Sequence, residues 1–210
     1  MLRPRIIPYL LVHKGGLVKT IRFADPKYVG DPLNAVRIFN EKEVDELIVA
    51  DIDASVDGRE PNYALIANLA SECRMPLGYA GGVKTPEQVE RIIRLGVEKV
   101  AISSGVIKTP NLIREAAHRV GNQSLVVVMD VKKSGLLGRY ELFIHNGQRG
   151  TGLSPVEFAR MAEGLGAGEI LVNSIDRDGT MQGYDHSLIN QVREAISIPM
   201  TVLGGAGSLT

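Results

Sequence analysis

Two stretches of the chain repeat one another 123 residues apart. Glu46-Leu-Ile-Val-Ala-Asp-Ile-Asp matches Glu169-Ile-Leu-Val-Asn-Ser-Ile-Asp, and Met75-Pro-Leu-Gly-Tyr-Ala-Gly-Gly matches Ile198-Pro-Met-Thr-Val-Leu-Gly-Gly at the same offset. A third pair, Leu11-Val-His-Lys-Gly-Gly and Asp130-Val-Lys-Lys-Ser-Gly, stands 119 residues apart. Solenoid repeats have periods of roughly 20–50 residues, so this spacing belongs to a duplicated half-domain instead. Two (βα)4 halves closing into a (β/α)8 barrel fit it.

The local pattern agrees with that architecture. Apolar runs rich in Val, Ile and Leu predict strands at Arg5–Leu11, Glu46–Asp51, Pro76–Ala80, Lys99–Ile102, Ser124–Asp130, Glu169–Ser174 and Pro199–Leu203. They do not alternate with polar residues, which is how strands covered on both faces read. Between them, Asp31–Asn40, Thr85–Leu95, Thr109–Val120 and Ser154–Leu165 each open on a capping residue followed by proline, the signature of a helix start. Ser154-Pro-Val-Glu also fits a capping box. Alternating strands and helices predict an α/β fold with a parallel sheet. The repeat places an eighth strand near position 222, beyond Thr210. The expectation is one TIM-barrel domain over residues 1–210 that lacks about its last βα unit.

Composition excludes several functions. Twenty-four basic and 24 acidic residues sum to zero, which removes the simplest case for nucleic acid or an anionic membrane as partner. The single cysteine, Cys73, rules out an internal disulfide framework and CxxC zinc clusters. His13, His118, His145 and His186 show no ligand spacing, so no metal and no cofactor is expected. No run approaches the ~18 apolar residues of a membrane helix. The opening stretch, interrupted by Pro4 and Pro8, does not read as a secretory leader, and a cytoplasmic location is expected.

Chemistry in such barrels sits at the C-terminal ends of the strands. Asp130 is placed there as an acid–base candidate, with Asp51, Asp53, Asp176 and Asp178 either joining it or capping loops. Gly81 and Gly82 after the third strand, with Ser103 and Ser104 after the fourth, offer backbone N–H groups and hydroxyls suited to a phosphate. Gly179 and Thr180, with Gly204 and Gly205, form the matching set in the second half. Two such sets suggest a ligand phosphorylated at both ends. Lys19 either holds an anion or faces solvent. At the opposite strand ends stand Arg5, Glu46, Lys99 and Glu169, whose spacing alone favours a solvated rim of ordinary salt bridges.

Taken together, Arg5-Ile-Ile-Pro, Leu17-Val-Lys-Thr, Asp45-Glu-Leu-Ile, Ala80-Gly-Gly-Val, Ser174-Ile-Asp-Arg-Asp-Gly-Thr and Gly204-Gly-Ala-Gly resemble the cyclase subunit family of imidazole glycerol phosphate synthase, HisF. The resemblance spans the chain and implies a (β/α)8 barrel. It further implies a glutaminase subunit docked at the N-terminal face, ammonia crossing the barrel interior, and a phosphorylated small-molecule ligand at the other end. Arg5, Glu46, Lys99 and Glu169 match that family's ammonia gate. Gly82, Gly179 and Gly205 match its phosphate positions, with Ser103 and Ser104 standing where Asn-Thr is typical.

At the first strand the cyclases carry Cys-Leu-Asp-Val, whose Asp is one of two catalytic acid–base groups. This chain reads Tyr9-Leu10-Leu11-Val12, so the resemblance leaves Asp130 as the retained catalytic group and Leu11 as an inactive one. A paralogous branch with Leu-Leu at this place is more similar, through Lys14-Gly-Gly-Leu-Val-Lys-Thr, Pro26-Lys-Tyr-Val-Gly-Asp-Pro and Phe39-Asn-Glu-Lys-Glu-Val-Asp-Glu-Leu. That branch implies ammonia supply for an acetamidino group on a surface-polysaccharide sugar. The alternatives are a genuine cyclase of histidine biosynthesis and a non-catalytic conduit that activates the glutaminase. The branch usually has Cys where Tyr9 stands, and a phenol there would narrow the ammonia path.

Overall fold

The computed structural model describes residues 5–135 and 137–208. Its elements, in chain order, are β1 (Tyr9–His13), β2 (Gly16–Ile21), β3 (Ala24–Gly30), α1 (Pro32–Glu41), β4 (Leu47–Asp51), α2 (Tyr63–Glu72), β5 (Leu77–Ala80), α3 (Pro86–Arg94), β6 (Lys99–Ile102), α4 (Ser104–Lys108) and α5 (Asn111–Val120). The second half continues with β7 (Leu125–Ser134), β8 (Arg139–Ile144), β9 (Arg149–Gly150), α6 (Pro155–Leu165), β10 (Glu169–Ser174), α7 (His186–Arg193) and β11 (Met200–Leu203). Seven strands, β1, β4, β5, β6, β7, β10 and β11, pair in parallel and in sequence order, as a curled sheet of the TIM-barrel type. Among the described residues no ladder joins β11 to β1.

The duplication is visible in the topology. The first strand of each half runs into an antiparallel extension, β2–β3 after β1 and β8–β9 after β7. Leu11 and Asp130, matched in the repeat, lie on β1 and β7.

The central parallel strands β4, β5, β6, β7 and β10 are covered on both faces, with side chains alternating between them. Leu47 and Val49 of β4 join the larger apolar layer between sheet and helices, while Ile48 and Ala50 face the inner side. The inner layer is Ile48, Ala50, Ala80, Ala101, Val126, Val128 and Leu171, with Ile7, Tyr9, Leu11, Ile52 and Leu203 packed against it. Helices present the matching stripe. In α3, Val89 and Ile92 are buried while Glu87, Arg91 and Arg94 face out. Thr85 and Gln88 complete a reciprocal capping box at its start.

Several boundaries differ from the sequence expectation for physical reasons. The first strand begins at Tyr9 rather than Arg5, since Pro8 has no N–H to give the ladder and offers only its carbonyl, to Ile48. The fifth strand runs on to Ser134, because β8 pairs with its outer part, and Asp130 lies within it rather than at its end. The third predicted helix starts at Asn111, not at a Thr109 cap: Thr109 closes α4, its N–H bonding the Gly105 carbonyl, and no side chain caps α5. At Ser154 only half of the expected box forms: its hydroxyl accepts from the Glu157 N–H at 3.4 Å. The hairpin extensions, α2, α4 and α7 carry no prolines at their starts and escaped the reading.

Phe158, 2% exposed, locks α6 onto the sheet. Phe158→Ala is expected to lower unfolding free energy by about 3–5 kcal/mol in urea titrations, the cost of an aromatic cavity.

Candidate functional site

At the N-terminal ends of the strands four charges meet. The Lys99 Nζ, on the first residue of β6, lies 2.8 Å from Glu46 Oε2 and 2.9 Å from Glu169 Oε2. Arg5 reaches the same two carboxylates at 3.0 and 3.7 Å. Thr201 of β11 donates to the other oxygen of Glu169. The cluster is not a solvated rim: the Glu46 side chain is 2% exposed, Glu169 8% and Lys99 16%. Charges this buried need partners, and two cations here balance two anions. Burial works to raise the Glu169 pKa, but the hydrogen bonds from Thr201 and Lys99 and the attraction of Lys99 and Arg5 outweigh it and hold it below the usual carboxylate range. Glu46 Oε1 is buried without a hydrogen-bond partner among the described residues.

At the C-terminal ends a cavity of about 160 Å³ opens. Its lining brings together eight of the residues singled out in the sequence: Leu11, Asp51, Gly81, Gly82, Ser103, Ser104, Asp130 and Asp178. Asp130 is the chemical centre. Ser103 Oγ donates to its Oδ2 at 3.1 Å, and Asn173 Nδ2 to its Oδ1 at 3.0 Å. Burial raises its pKa to about 6; these two hydrogen bonds oppose the shift and the charge of Asp178 adds to it. A carboxyl poised there exchanges protons readily near neutral pH. Asp51 is held by the N–H groups of Asp53 and Ala54, both at 3.1 Å, and by Arg59 at 3.5 Å.

The structure also supplies residues that the sequence reading did not place in the cavity. Tyr9, Thr20, Asn146 and Asn173 line it. Asp178, already a candidate in the sequence, accepts from Thr20 Oγ1 at 2.8 Å and from the Phe23 N–H at 3.2 Å, tying the β2–β3 turn across to the loop after β10. Asn173 sits at the register position beside Asp130, one strand over. The repeat gives no signal for it, since its counterpart at 50 is an alanine.

The remaining candidates lie elsewhere. Lys19 is exposed on β2, outside the cavity lining. Asp176 accepts from the Lys133 N–H at 3.0 Å and borders a separate hollow with Arg22, Lys133 and Arg177. Thr180 Oγ1 donates to the Arg177 carbonyl at 2.8 Å. Gly204 and Gly205 follow β11, and Gly179 has φ +67° with the Thr20 carbonyl only 2.1 Å from where a Cβ would stand. Glycine at 179 is therefore demanded by packing whether or not a ligand binds.

A family profile described as "Histidine biosynthesis protein" matches residues 5–210. A protein of Leptospira interrogans provisionally named imidazole glycerol phosphate synthase subunit HisF is 59% identical over 209 residues, covering all of this chain and 82% of that protein. The chain belongs to the HisF family. A Pseudomonas aeruginosa relative, provisionally named subunit hisF2, is 51% identical over the whole chain and 83% of its own length. The imidazole glycerol phosphate synthase subunit HisF of Alkaliphilus metalliredigens, named without qualification, is 42% identical over the whole chain and 82% of its own length. This HisF-family chain is thus of the synthase-subunit type. Among its described residues no helix is long and apolar enough to cross a membrane, and no group of His, Cys, Asp and Glu is arranged to hold a metal.

The buried Asp130 carboxyl binds its proton more tightly folded than unfolded, where an ordinary 3.8 applies. Its contribution therefore favours the folded state at low pH and is lost as pH rises from about 4 to about 6, on the order of 3 kcal/mol in total. Urea unfolding of wild type and Asp130→Asn across this range is expected to show that fall only in the wild type.

Proposed function

We propose that this chain is the ammonia-receiving synthase subunit of a cytoplasmic glutamine amidotransferase, serving the formation of an acetamidino group on a surface-polysaccharide sugar. A glutaminase subunit docks at the N-terminal face, over Arg5, Glu46, Lys99 and Glu169. The observation that carries this reading is the buried cluster around Lys99, which closes one end of the inner layer while the Asp130 cavity opens at the other. A purely structural role would not call for four charges across the end of an otherwise apolar interior.

In this mechanism glutamine hydrolysis releases ammonia beneath the cluster. A shift of the Lys99 ammonium away from one carboxylate opens a path, and the nitrogen passes along the inner layer to the cavity. There Asp130 gives or takes the proton. A phosphorylated ligand has one end at Gly81, Gly82, Ser103 and Ser104. Its other end is at Gly179, Thr180, Gly204 and Gly205, beside Asp176, with Lys19 and Asp51 at the margins. Leu11 lines the cavity where the resembled cyclases carry a second acid–base Asp, and its isobutyl group moves no proton. Ring closure is accordingly not this chain's reaction. The retained, poised Asp130 favours a second reading, a cyclase of histidine biosynthesis that works with one acid–base group.

Two measurements decide between these. Given ammonium and the open-chain bis-phosphate of the histidine pathway, the full-length gene product is expected to form no imidazole glycerol phosphate. Leu11→Asp is expected to regain turnover toward the ~10²–10⁴-fold that one acid–base group supplies. Clear wild-type turnover would establish the cyclase instead. With the glutaminase bound, Lys99→Ala is expected to leave glutamine hydrolysis running while product formation falls several-fold; unchanged coupling would remove the gate.

A further inference from the structure

The β2–β3 hairpin turns on Arg22 and Phe23, whose φ angles are +53° and +64°. Two-residue turns with both angles positive are ordinarily made by Asn-Gly. Neither an arginine nor a phenylalanine settles there by itself. Asp178 holds the turn in place: its carbonyl accepts from the Arg22 N–H at 3.0 Å, and its Oδ2 from the Phe23 N–H and the Thr20 hydroxyl. Strain maintained by such outside bonds marks a place where the aim of side chains matters. Here it sends two neighbours opposite ways. Phe23 lines the Asp130 cavity, whereas Arg22 lines the separate hollow beside it. The loop after β10 divides likewise, Asp178 to the cavity and Asp176 and Arg177 to the hollow.

The hollow measures about 400 Å³, within the range of small-molecule sites. None of Gly179, Thr180, Gly204 and Gly205 borders it. Its three cations, Arg22, Lys133 and Arg177, come from three separate segments, and none forms an ion pair among the described residues. Two of them are held in place. Arg177 Nη1 donates to the Gln182 carbonyl at 3.3 Å, and Lys133 Nζ lies 5.1 Å from the centre of the Tyr140 ring. The two carboxylates of the hollow are half engaged: Asp176 Oδ2 accepts from the Lys133 N–H, and Asp185 Oδ1 from the Tyr140 hydroxyl. Three cations against two carboxylates leave one positive charge in excess. One ligand carboxylate neutralises it, whereas a phosphate monoester, at about −1.5 to −2 near neutral pH, overshoots.

We propose that this hollow is a second binding site that takes the carboxylate of an acidic sugar. Arg22, Arg177 and Lys133 hold the carboxylate, since guanidinium forks match its two oxygens. Asp176 and Asp185 accept from the hydroxyls beside it, because an ionised carboxylate offers acceptors only. A neutral sugar leaves the cations uncompensated. The site shares its wall with the Asp130 cavity through residues 22–23 and 176–178, so a sugar anchored by its acid group lies next to the place where Asp130 works. This names the substrate class of the sugar reading above and rests on it.

The test is saturation-transfer NMR on the full-length gene product at constant ionic strength, with glucuronate, glucose and glucose 6-phosphate as probes. The three share a pyranose ring and differ at its sixth carbon. Saturable binding of glucuronate is expected, with glucose and glucose 6-phosphate at least ten-fold weaker. Arg22→Gln and Lys133→Gln are each expected to weaken glucuronate binding about ten-fold, the loss of one charge-assisted contact. Both side chains are exposed, and circular dichroism checks that both variants remain folded. Equal binding of glucose and glucuronate, tighter binding of glucose 6-phosphate, or wild-type binding in both variants would overturn the site. If glutamine-coupled transfer to a sugar proceeds without glucuronate binding, this site alone fails. If glucuronate binds here but no glutaminase couples to the chain, the amidotransferase reading alone fails.

Discussion

One lysine ammonium shared by two buried carboxylates bridges the two halves of this molecule at the N-terminal strand ends. Lys99 belongs to the first half of the repeat and Glu169 to the second, with Glu46 completing the bridge. Removing such a partner leaves buried charge uncompensated, which typically costs about 3–5 kcal/mol. The cluster is stable only as a whole, and it caps the aliphatic inner layer at its N-terminal end. Its position gives the sheet a chemical direction: charge at the N-terminal end, an aliphatic middle, and a poised carboxyl at the C-terminal end.

That direction follows from strand alternation. Inward positions on β4 run Ile48 and Ala50, and those on β7 run Val126, Val128 and Asp130. The two halves place Leu11 and Asp130 at matched positions, so the duplication offers the cavity two symmetric places for an acid. Here one is apolar and the other is a carboxyl whose pKa is raised to about 6 by burial. A single such group can pass a proton but cannot act as acid and base on opposite sides of a substrate at once.

Much of this was legible in the chain. The 123-residue offset and the continuous apolar runs predicted the α/β class and the parallel order of all seven barrel strands. Asp130 and the Gly-Gly and Ser-Ser loops were read from their places after strands, and five of these residues, Gly81, Gly82, Ser103, Ser104 and Asp130, do line one cavity. Asn173 was passed over because an asparagine inside a strand carries no motif; only its register beside Asp130 gives it a role. Gly179 looked like a ligand loop, yet the Thr20 carbonyl alone requires glycine there. The hairpins after β1 and β7 were missed because β2, β3 and β8 are partly exposed and carry charged residues within them, so they show no continuous apolar run.

The sequence by itself determined which residues are apolar at which spacing, and hence the strands, the helices and their order. It also determined the inventory of charges, because composition does not depend on folding. Only the tertiary structure decided whether those charges are solvated. Spacing alone favoured a wet rim for Arg5, Glu46, Lys99 and Glu169, whereas the curling of the sheet converges their strand ends and excludes water from Glu46 and Glu169. The same curling brings Tyr9 and Asp130, 121 residues apart, to the lining of one cavity. Burial and proximity are properties of the curled sheet, and they turn ordinary side chains into a buried charge cluster at one end and a cavity around a raised-pKa carboxyl at the other.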